Sequence, residues 1–170
     1  GAHYDHLGFG PFGSRRPNPK ELHPGADDNA TGTAAVIELA RRLGTREKPP
    51  ARRIVFVGFS AEERGLVGSN HYIANPLYPL ENTVAMINFD MIGGLGDDGL
   101  RMGGVKSAKE FPKLLEDLCE GTDVKVNPMN MLGGSDHLGF YRKNIPVLFF
   151  FTGMNNRYHT PDDDFETINV

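Results

Sequence analysis

Acidic or histidine side chains that could do chemistry lie at six places along the 170-residue chain, mostly where an apolar run ends or a helical pattern begins. Imidazole and carboxylate groups are common zinc ligands, and a further carboxylate can take a proton from a water molecule that the metal activates. The single cysteine, Cys119, excludes an internal disulfide and a thiolate metal site. These residue types indicate metal-assisted hydrolysis. The six places are residues 3–5, 27–29, 62–63, 90, 135–137 and 158–159.

The first two places each have a structural explanation beside the chemical one. His3 and Asp5 are two residues apart and share a face of an extended chain, where Asp5 can hold the imidazole ring for a metal. Asp27, Asp28 and Asn29 precede a helical pattern and are typical N-cap residues. Three successive polar residues exceed what one cap requires, so both places are candidates for a site.

Two adjacent glutamates, Glu62 and Glu63, follow one predicted strand, and Asp90 ends another. Neighbouring carboxylates repel each other, which favours separate tasks: one glutamate binds a metal while the other accepts a proton. A solvated turn is the alternative for this pair. A carboxylate at the end of a buried strand costs free energy unless it is paired or metal-bound, so Asp90 favours a functional role.

The last two places lie in the C-terminal part of the chain. Ser135, Asp136 and His137 include the residue types of a serine hydrolase, but consecutive residues do not form that triad and no Gly-x-Ser-x-Gly elbow is present. Capping of the following helix is the simpler explanation. Tyr158 and His159 follow a third predicted strand and precede three aspartates, which favours a place in the site.

The elements that must position these residues alternate between strands and helices. Apolar runs at residues 54–59, 84–89 and 147–151 predict strands buried on both faces, and weaker strands are predicted at 100–102 and 124–126. This alternation predicts an α/β protein, a three-layer α/β/α sandwich around a mostly parallel mixed sheet. Such sheets place their sites beyond the carboxyl ends of the strands.

Helical patterns separate the predicted strands. Residues 7–25 are rich in glycine and proline and predict a long surface loop before the first helix. Ser107 and Glu110 predict a capping box at the start of the third helix. The predicted helices are residues 36–43, 65–75, 111–118 and 138–143.

Composition narrows the class of protein. A formal charge of −4, from 18 basic and 22 acidic residues, argues against a nucleic-acid partner. No apolar run reaches the roughly 18 residues of a membrane span. The 39% of hydrophobic residues is enough for the core of one domain, predicted to span residues 1–170.

Six stretches, in order, resemble the two-zinc aminopeptidases of peptidase family M28, which include secreted bacterial leucyl aminopeptidases. The resemblance covers nearly the whole chain and implies the zinc-exopeptidase fold. Members of the family have further strands before the first stretch and a helix after the last, so a segment of a longer chain, truncated at both ends, is expected. The stretches are GAHYDH (1–6), PGADDNATG (24–32), SAEERGLVGS (60–69), INFDMIG (87–93), GGSDH (133–137) and YHTPDD (158–163).

The resemblance implies five ligands for two Zn²⁺ ions. By position, His3 and Asp90 match the ligands of one ion, and Glu63 and His159 match those of the other. Asp28, the second acid of its pair, matches the carboxylate that bridges the two ions.

The resemblance also implies catalytic roles. Glu62 matches the general base, and Asp5 matches the acid that orients the first histidine. Tyr158 matches a residue that steadies the oxyanion in some members of the family, whereas Asp136 is expected near the site without an assigned role.

The implied reaction removes the N-terminal residue of a peptide that has a free N-terminus, and the implied location is secreted or periplasmic. By resemblance, the Asp28–Asn29 peptide bond is expected to be cis. A carboxypeptidase or dipeptidase of the same family is an alternative. A glutaminyl-cyclase-like acyl transferase would need only one zinc, and an inactive receptor-like domain would have lost ligands or the base; the complete residue set argues against both.

Overall fold

A computed structural model describes residues 1–16, 18, 20–130 and 133–169, and it has the expected α/β architecture around a mixed sheet. Within these residues, strands and helices alternate along most of the chain. In chain order, the elements are β1 (Ala2–His3), β2 (Gly8–Phe9), β3 (Leu22–His23), α1 (Gly32–Gly44), β4 (Gly58–Phe59), α2 (Val67–Ala74), β5 (Met86–Phe89), β6 (Leu100–Gly103), α3 (Phe111–Cys119), β7 (Val126–Pro128), α4 (His137–Arg142) and β8 (Val147–Phe151).

Strand β8 lies inside the main sheet. It pairs in parallel with β5 and antiparallel with β6, and β6 pairs in parallel with β7, which gives the order β5-β8-β6-β7. The parallel pair β1-β4 lies beside β5, because Gly1 donates to Ile87 O at 2.6 Å and accepts from Phe89 N at 2.9 Å. This pattern is typical of parallel strands, so β4, β1, β5 and β8 all end at the same edge.

Helices cover both faces of the sheet. Successive side chains of β8 point to opposite faces. On one face, Val147 belongs to an apolar cluster that includes Phe140 of α4. On the other face, Leu148 belongs to a second apolar cluster, and Leu115 of α3 packs against that cluster. The apolar run at 147–151 is therefore buried from both sides, and the predicted three-layer arrangement is confirmed.

The predicted strand at residues 54–59 forms only in part. Its inner edge meets β1, where Val57 O accepts from Ala2 N at 3.2 Å, and no strand pairs with its outer edge among the described residues. Ile54, Val55 and Phe56 are 45%, 38% and 39% exposed. The prediction of burial on both faces is wrong for this segment, because apolar composition does not reveal whether a partner covers it.

Helix α1 extends to Gly44, as its sequence predicts, but begins after an irregular turn at Ala26–Thr31, in which Asp28 and Asn29 have non-helical backbone angles. The capping box predicted for α3 is wrong. The hydroxyl of Ser107 instead donates to Val147 O at 2.9 Å and accepts from Val147 N at 2.8 Å, so it fastens the start of β8. None of the helices in the described part of the chain has the length and apolarity needed to cross a bilayer.

The predicted surface loop at residues 7–25 contains an antiparallel hairpin, β2-β3, and residues 17 and 19 of that prediction lie outside the described residues. The hairpin contacts the segment after β8. Arg15 N donates to His159 O at 2.9 Å, and the guanidinium of Arg16 pairs with Asp162 at 2.8 and 3.0 Å. The loop is therefore fastened to one of the predicted site residues.

Candidate metal centre

The carboxyl edge of the parallel strands carries most of the predicted site residues. His3 ends β1, Asp90 directly follows β5, and Glu62 and Glu63 lie on the turn after β4. Since these strands run in the same direction, their side chains meet at one edge of the sheet.

Asp28 and His159 reach this edge from loops. Asp28 lies in the turn before α1 and its peptide bond to Asn29 is cis, as expected. His159 lies in the segment after β8. All the predicted ligands are thus brought together although they are spread over the whole chain.

His3, Asp28 and Asp90 form a first set of donor atoms. His3 Nε2 lies 3.3 Å from Asp28 Oδ1 and 3.4 Å from Asp90 Oδ1. Tetrahedral zinc with bonds of about 2.0–2.1 Å places neighbouring ligand atoms roughly 3.3 Å apart. Both distances from His3 Nε2 therefore match those between neighbouring ligands of one zinc ion.

His159, Asp28 and Glu63 form a second set. His159 Nε2 lies 3.2 Å from Asp28 Oδ2 and 3.1 Å from Glu63 Oε2. The two oxygens of Asp28 consequently face different histidines, which is the arrangement that a carboxylate shared by two metals requires.

Asp90 provides an independent test of whether a cation fits. Its Oδ1 is buried without a hydrogen-bond partner among the described residues, and it is the same oxygen that lies 3.4 Å from His3 Nε2. A buried, unpaired carboxylate oxygen is costly, and a metal ion removes that cost. Histidine and carboxylate donors without thiolate suit catalytic zinc, so the residues fit this ion.

The carboxylates shift the pKa values of both histidines. Burial lowers the pKa of His3, but the adjacent carboxylates of Asp28 and Asp90 outweigh it and raise the pKa to about 12. Against the same effect of burial, Asp28 and Glu63 raise the pKa of His159 to about 10. The site therefore stabilises positive charge at both donor sets.

Asp5 contacts His3 through its main chain. His3 Nδ1 lies 3.0 Å from Asp5 O and 3.7 Å from the Asp5 carboxylate, so the closer contact is the main-chain one. The carboxylate of Asp5 instead accepts from the main-chain N–H groups of Glu62 at 3.1 Å and Glu63 at 3.4 Å. Asp5 thus links His3 to the turn that carries both glutamates.

Glu62 lies beside the first donor set, with a carboxylate oxygen within 4.8 Å of the donor atoms of His3 and Asp90. Burial raises its pKa to about 8, and the negative charges of Asp90 and Asp136 contribute to the rise. Asp136 is itself fully buried, and burial raises its pKa to about 6. It therefore lies near the site, as expected, and acts on Glu62 through its charge.

Tyr158 stacks on His159, with ring centroids 3.7 Å apart and an interplanar angle of 24°. Burial raises its pKa above the ordinary value, and the carboxylates of Asp28 and Glu63 add to the effect. The phenol therefore stays protonated and keeps a hydrogen to donate.

Sequence reasoning missed two residues that the structure adds to this region. His6 Nδ1 lies 2.9 Å from Glu63 Oε1. The carboxylate of Asp163 accepts from Asp27 N and Asp28 N, each at 3.0 Å. A second histidine in GAHYDH and a second acid after YHTP were the available signals, but neither has a spacing that identifies its partner.

Comparisons with known proteins agree with this arrangement. The model of Peptidase family M28 matches residues 1–170. Aminopeptidase YwaD of Bacillus subtilis is 29% identical over 98% of the chain and 36% of the relative, and an aminopeptidase of Pseudomonas aeruginosa is 34% identical over 76% of the chain and 26% of the relative. The chain therefore spans about a third or less of the length of these relatives.

Among solved structures, BSAP, described as a zinc aminopeptidase from Bacillus subtilis, superposes with a TM-score of 0.78 at 30% identity over 99% of the chain and 40% of that structure. A glutaminyl cyclase from Porphyromonas gingivalis superposes with a TM-score of 0.74 at 21% identity, which shows a shared fold alone. Since the family model extends over every residue, the chain belongs to peptidase family M28.

Proposed function

We propose that this chain carries the catalytic centre of a two-zinc aminopeptidase, which hydrolyses the first peptide bond of a peptide with a free N-terminus. The observation that carries the proposal is the position of Asp28. Its two oxygens lie 3.3 and 3.2 Å from the Nε2 atoms of two different histidines, His3 and His159. Two metals that share a carboxylate require this arrangement, whereas in a site for one metal the second histidine would only donate a hydrogen bond to Asp28.

Five residues would hold the two ions. His3 and Asp90 would complete one site, and Glu63 and His159 the other, with Asp28 common to both. The chemistry that two zinc ions supply in such a site is the activation of a water molecule and the polarisation of a carbonyl group.

Glu62 is the general base of the proposal. Its carboxylate is within 4.8 Å of the donor atoms of His3 and Asp90, but it makes none of the contacts of 3.1–3.4 Å that join the five proposed ligands. In the proposal it therefore accepts a proton from water and returns it to the leaving amine. The negative charge of Asp90 is among the causes that raise the pKa of Glu62, and a cation held by Asp90 offsets that charge.

Tyr158 is proposed to stabilise the oxyanion. Its protonated phenol lies beside His159 and can donate a hydrogen bond to the oxyanion that develops on the scissile carbonyl. Asp5 keeps Glu62 in place through the 3.1 Å hydrogen bond that its carboxylate accepts from Glu62 N.

The proposal is supported by names that the relatives carry. YwaD is named an aminopeptidase and BSAP a zinc aminopeptidase, and both cover nearly all of this chain. The glutaminyl-cyclase alternative has support from fold similarity alone. Every residue of the implied ligand set and the base is present, which argues against an inactive receptor-like domain.

The test is made on the full-length protein, stripped of metal and titrated with zinc. We expect two tightly bound ions per chain and hydrolysis of aminoacyl-nitroanilides with a free amine. Matched N-acetylated substrates should not be cleaved. Cleavage of N-blocked peptides at the C-terminus would instead assign a carboxypeptidase, and cyclisation of N-terminal glutamine with a single bound zinc would assign an acyl transferase.

A further inference from the structure

His6 lies beside the second donor set with its side chain only 7% exposed, and the five proposed ligands do not include it. We propose that His6 is a positioning residue, which donates a hydrogen bond to one oxygen of Glu63 and so presents the other oxygen to the metal. The inference rests on the proposed function, because it assumes that Glu63 binds zinc.

The contact between His6 and Glu63 is short and enclosed. His6 Nδ1 lies 2.9 Å from Glu63 Oε1, and both side chains are 7% exposed. Glu63 Oε2, the other oxygen, lies 3.1 Å from His159 Nε2. The two oxygens of Glu63 thus have separate partners, and only Oε2 belongs to the second donor set.

The proton on the imidazole follows from the chemistry of its partner. A carboxylate that binds a cation is ionised and can only accept hydrogen bonds. His6 Nδ1 must therefore carry the hydrogen of this contact. A ring nitrogen that donates its N–H has no lone pair left for a metal, so the same atom cannot also be a ligand.

The distances to Asp28 also distinguish His6 from the proposed ligand His159. His159 Nε2 lies 3.2 Å from Asp28 Oδ2, close to the roughly 3.3 Å expected between neighbouring tetrahedral ligands. His6 Nδ1 lies 3.8 Å from that oxygen. Its distance to Glu63 is that of an ordinary hydrogen bond. His6 therefore fits a hydrogen-bond donor outside the ligand set.

His159 contacts Oε2 of this carboxylate, and His6 is the residue that contacts Oε1. Asp5 holds only the main chain of Glu63, through a contact of 3.4 Å, and does not orient its side chain. The other nitrogen of His6, Nε2, is buried and has no hydrogen-bond partner among the described residues. The ring consequently acts on Glu63 through the contact of Nδ1. Partners that orient a ligand in this way typically contribute about 10- to 100-fold to metal affinity.

Three substitutions separate this role from packing. In His6→Asn, the side-chain amide nitrogen occupies nearly the position of Nδ1 and keeps the donor. In His6→Gln, the amide nitrogen falls nearer the position of Nε2, so the donor at the Nδ1 position is lost. In His6→Ala, neither ring nitrogen has a replacement. His71→Ala, which removes an exposed histidine of α2, is the control for a general effect of losing an imidazole.

The measurement is zinc affinity of the full-length protein by competition with a chromophoric chelator. For wild type, we expect two ions per chain. For His6→Ala and His6→Gln, one of the two should bind about 10- to 100-fold more weakly while the other is unchanged. His6→Asn and His71→Ala should bind both ions as wild type does. X-ray absorption should count one imidazole per zinc in wild type and in His6→Asn.

The inference would be overturned if His6→Ala bound both zinc ions with wild-type affinity. It would also be overturned if His6→Gln, and not His6→Asn, kept wild-type zinc affinity. A second imidazole at one zinc that disappears in His6→Ala would make His6 a ligand and overturn it too. If His6→Ala does not fold, the zinc affinities of His6→Asn and His6→Gln still decide between the two roles. If wild type itself binds fewer than two ions, the proposed function fails; if only the variants disagree, this inference alone fails.

Discussion

Asp163 accepts a hydrogen bond of 3.0 Å from the main-chain N–H of Asp28. Its other oxygen accepts from Asp27 N at the same distance, and the side chain is 1% exposed. One carboxylate therefore fastens the turn that carries Asp28 to the segment that carries His159. Asp28 and His159 supply two of the three donors of the second set, so Asp163 helps to fix their relative position.

Replacing Asp163 with asparagine should destabilise the protein and weaken metal binding. The amide has one accepting oxygen, so its NH₂ group faces a main-chain N–H that loses its partner. A buried unsatisfied group costs about 1–3 kcal/mol. Urea unfolding in the presence of a chelator measures this loss without any contribution from metal. Asp162→Asn is the matched control, because its ion pair with Arg16 is exposed to solvent and contributes little to stability. Equal losses in the two variants would contradict the assignment.

Glu62 and Glu63 should fail in different ways when each is replaced by glutamine. Glu62→Gln keeps the size of the side chain but accepts no proton. Two metals should remain bound, and turnover should fall by at least roughly 10²–10⁴-fold. Glu63→Gln removes a charged donor, so one metal should be weakened and added zinc should partly restore activity. Metal stoichiometry and kcat for both variants check the prediction; mild and equal effects would indicate a solvated turn.

Tyr158→Phe should lower kcat much more than it raises KM. The phenol that stacks on His159 is proposed to meet the oxyanion only as it develops, and a single donor of this kind is worth about 2.7–4 kcal/mol in the transition state. The ring contact with His159 is kept in phenylalanine, so metal content should not change. Steady-state kinetics decide the point: a change confined to KM would make Tyr158 a wall of the substrate pocket.

His137 should make the protein less stable as the pH falls. Its ring is fully buried against Phe149, with centroids 4.4 Å apart, and burial lowers its pKa from 6.5 to about 4. Above pH 6.5 the imidazole is neutral in both states. Between the two pKa values only the unfolded chain binds the proton, so stability is lost as the pH falls through this window. Between pH 7.5 and 5 the loss should be about 2 kcal/mol.

Urea unfolding of the metal-free protein at the two pH values measures this difference. His137→Gln has no titrating ring, so its stability should depend less on pH by that amount, whatever its stability at pH 7.5. An unchanged pH dependence in the variant would show that His137 does not carry the effect.

The sequence predicted some elements better than others, for reasons that the packing explains. The apolar run at 147–151 forms β8 with the predicted bounds, because helices cover both of its faces. The similar run at 54–59 forms only β4, at Gly58–Phe59, since its outer edge has no partner strand among the described residues. Composition is the same kind of signal in both segments and does not report what lies beside a strand.

Site residues show the same limit. The proposed ligands lie in short motifs, and the order of these motifs along the chain allowed the ligands to be predicted by resemblance to the family. His6 and Asp163 were not assigned, because their roles depend on partners 57 and 135–136 residues away. Ser107 gave the opposite error: its spacing to Glu110 suggested a local cap, but its hydroxyl contacts Val147, forty residues further on.

The hairpin β2-β3 has a consequence for how this protein can diverge. His159 Nδ1 is held by the main-chain carbonyl of Gly13 at 2.8 Å, and Arg15 N returns a hydrogen bond to His159 O. Because these contacts use main-chain groups, exposed side chains of the hairpin such as Phe9 and Leu22 can change without removing them. An insertion or deletion would move the carbonyl itself. Among orthologues, the spacing of this hairpin should therefore be more constrained than its residue identities.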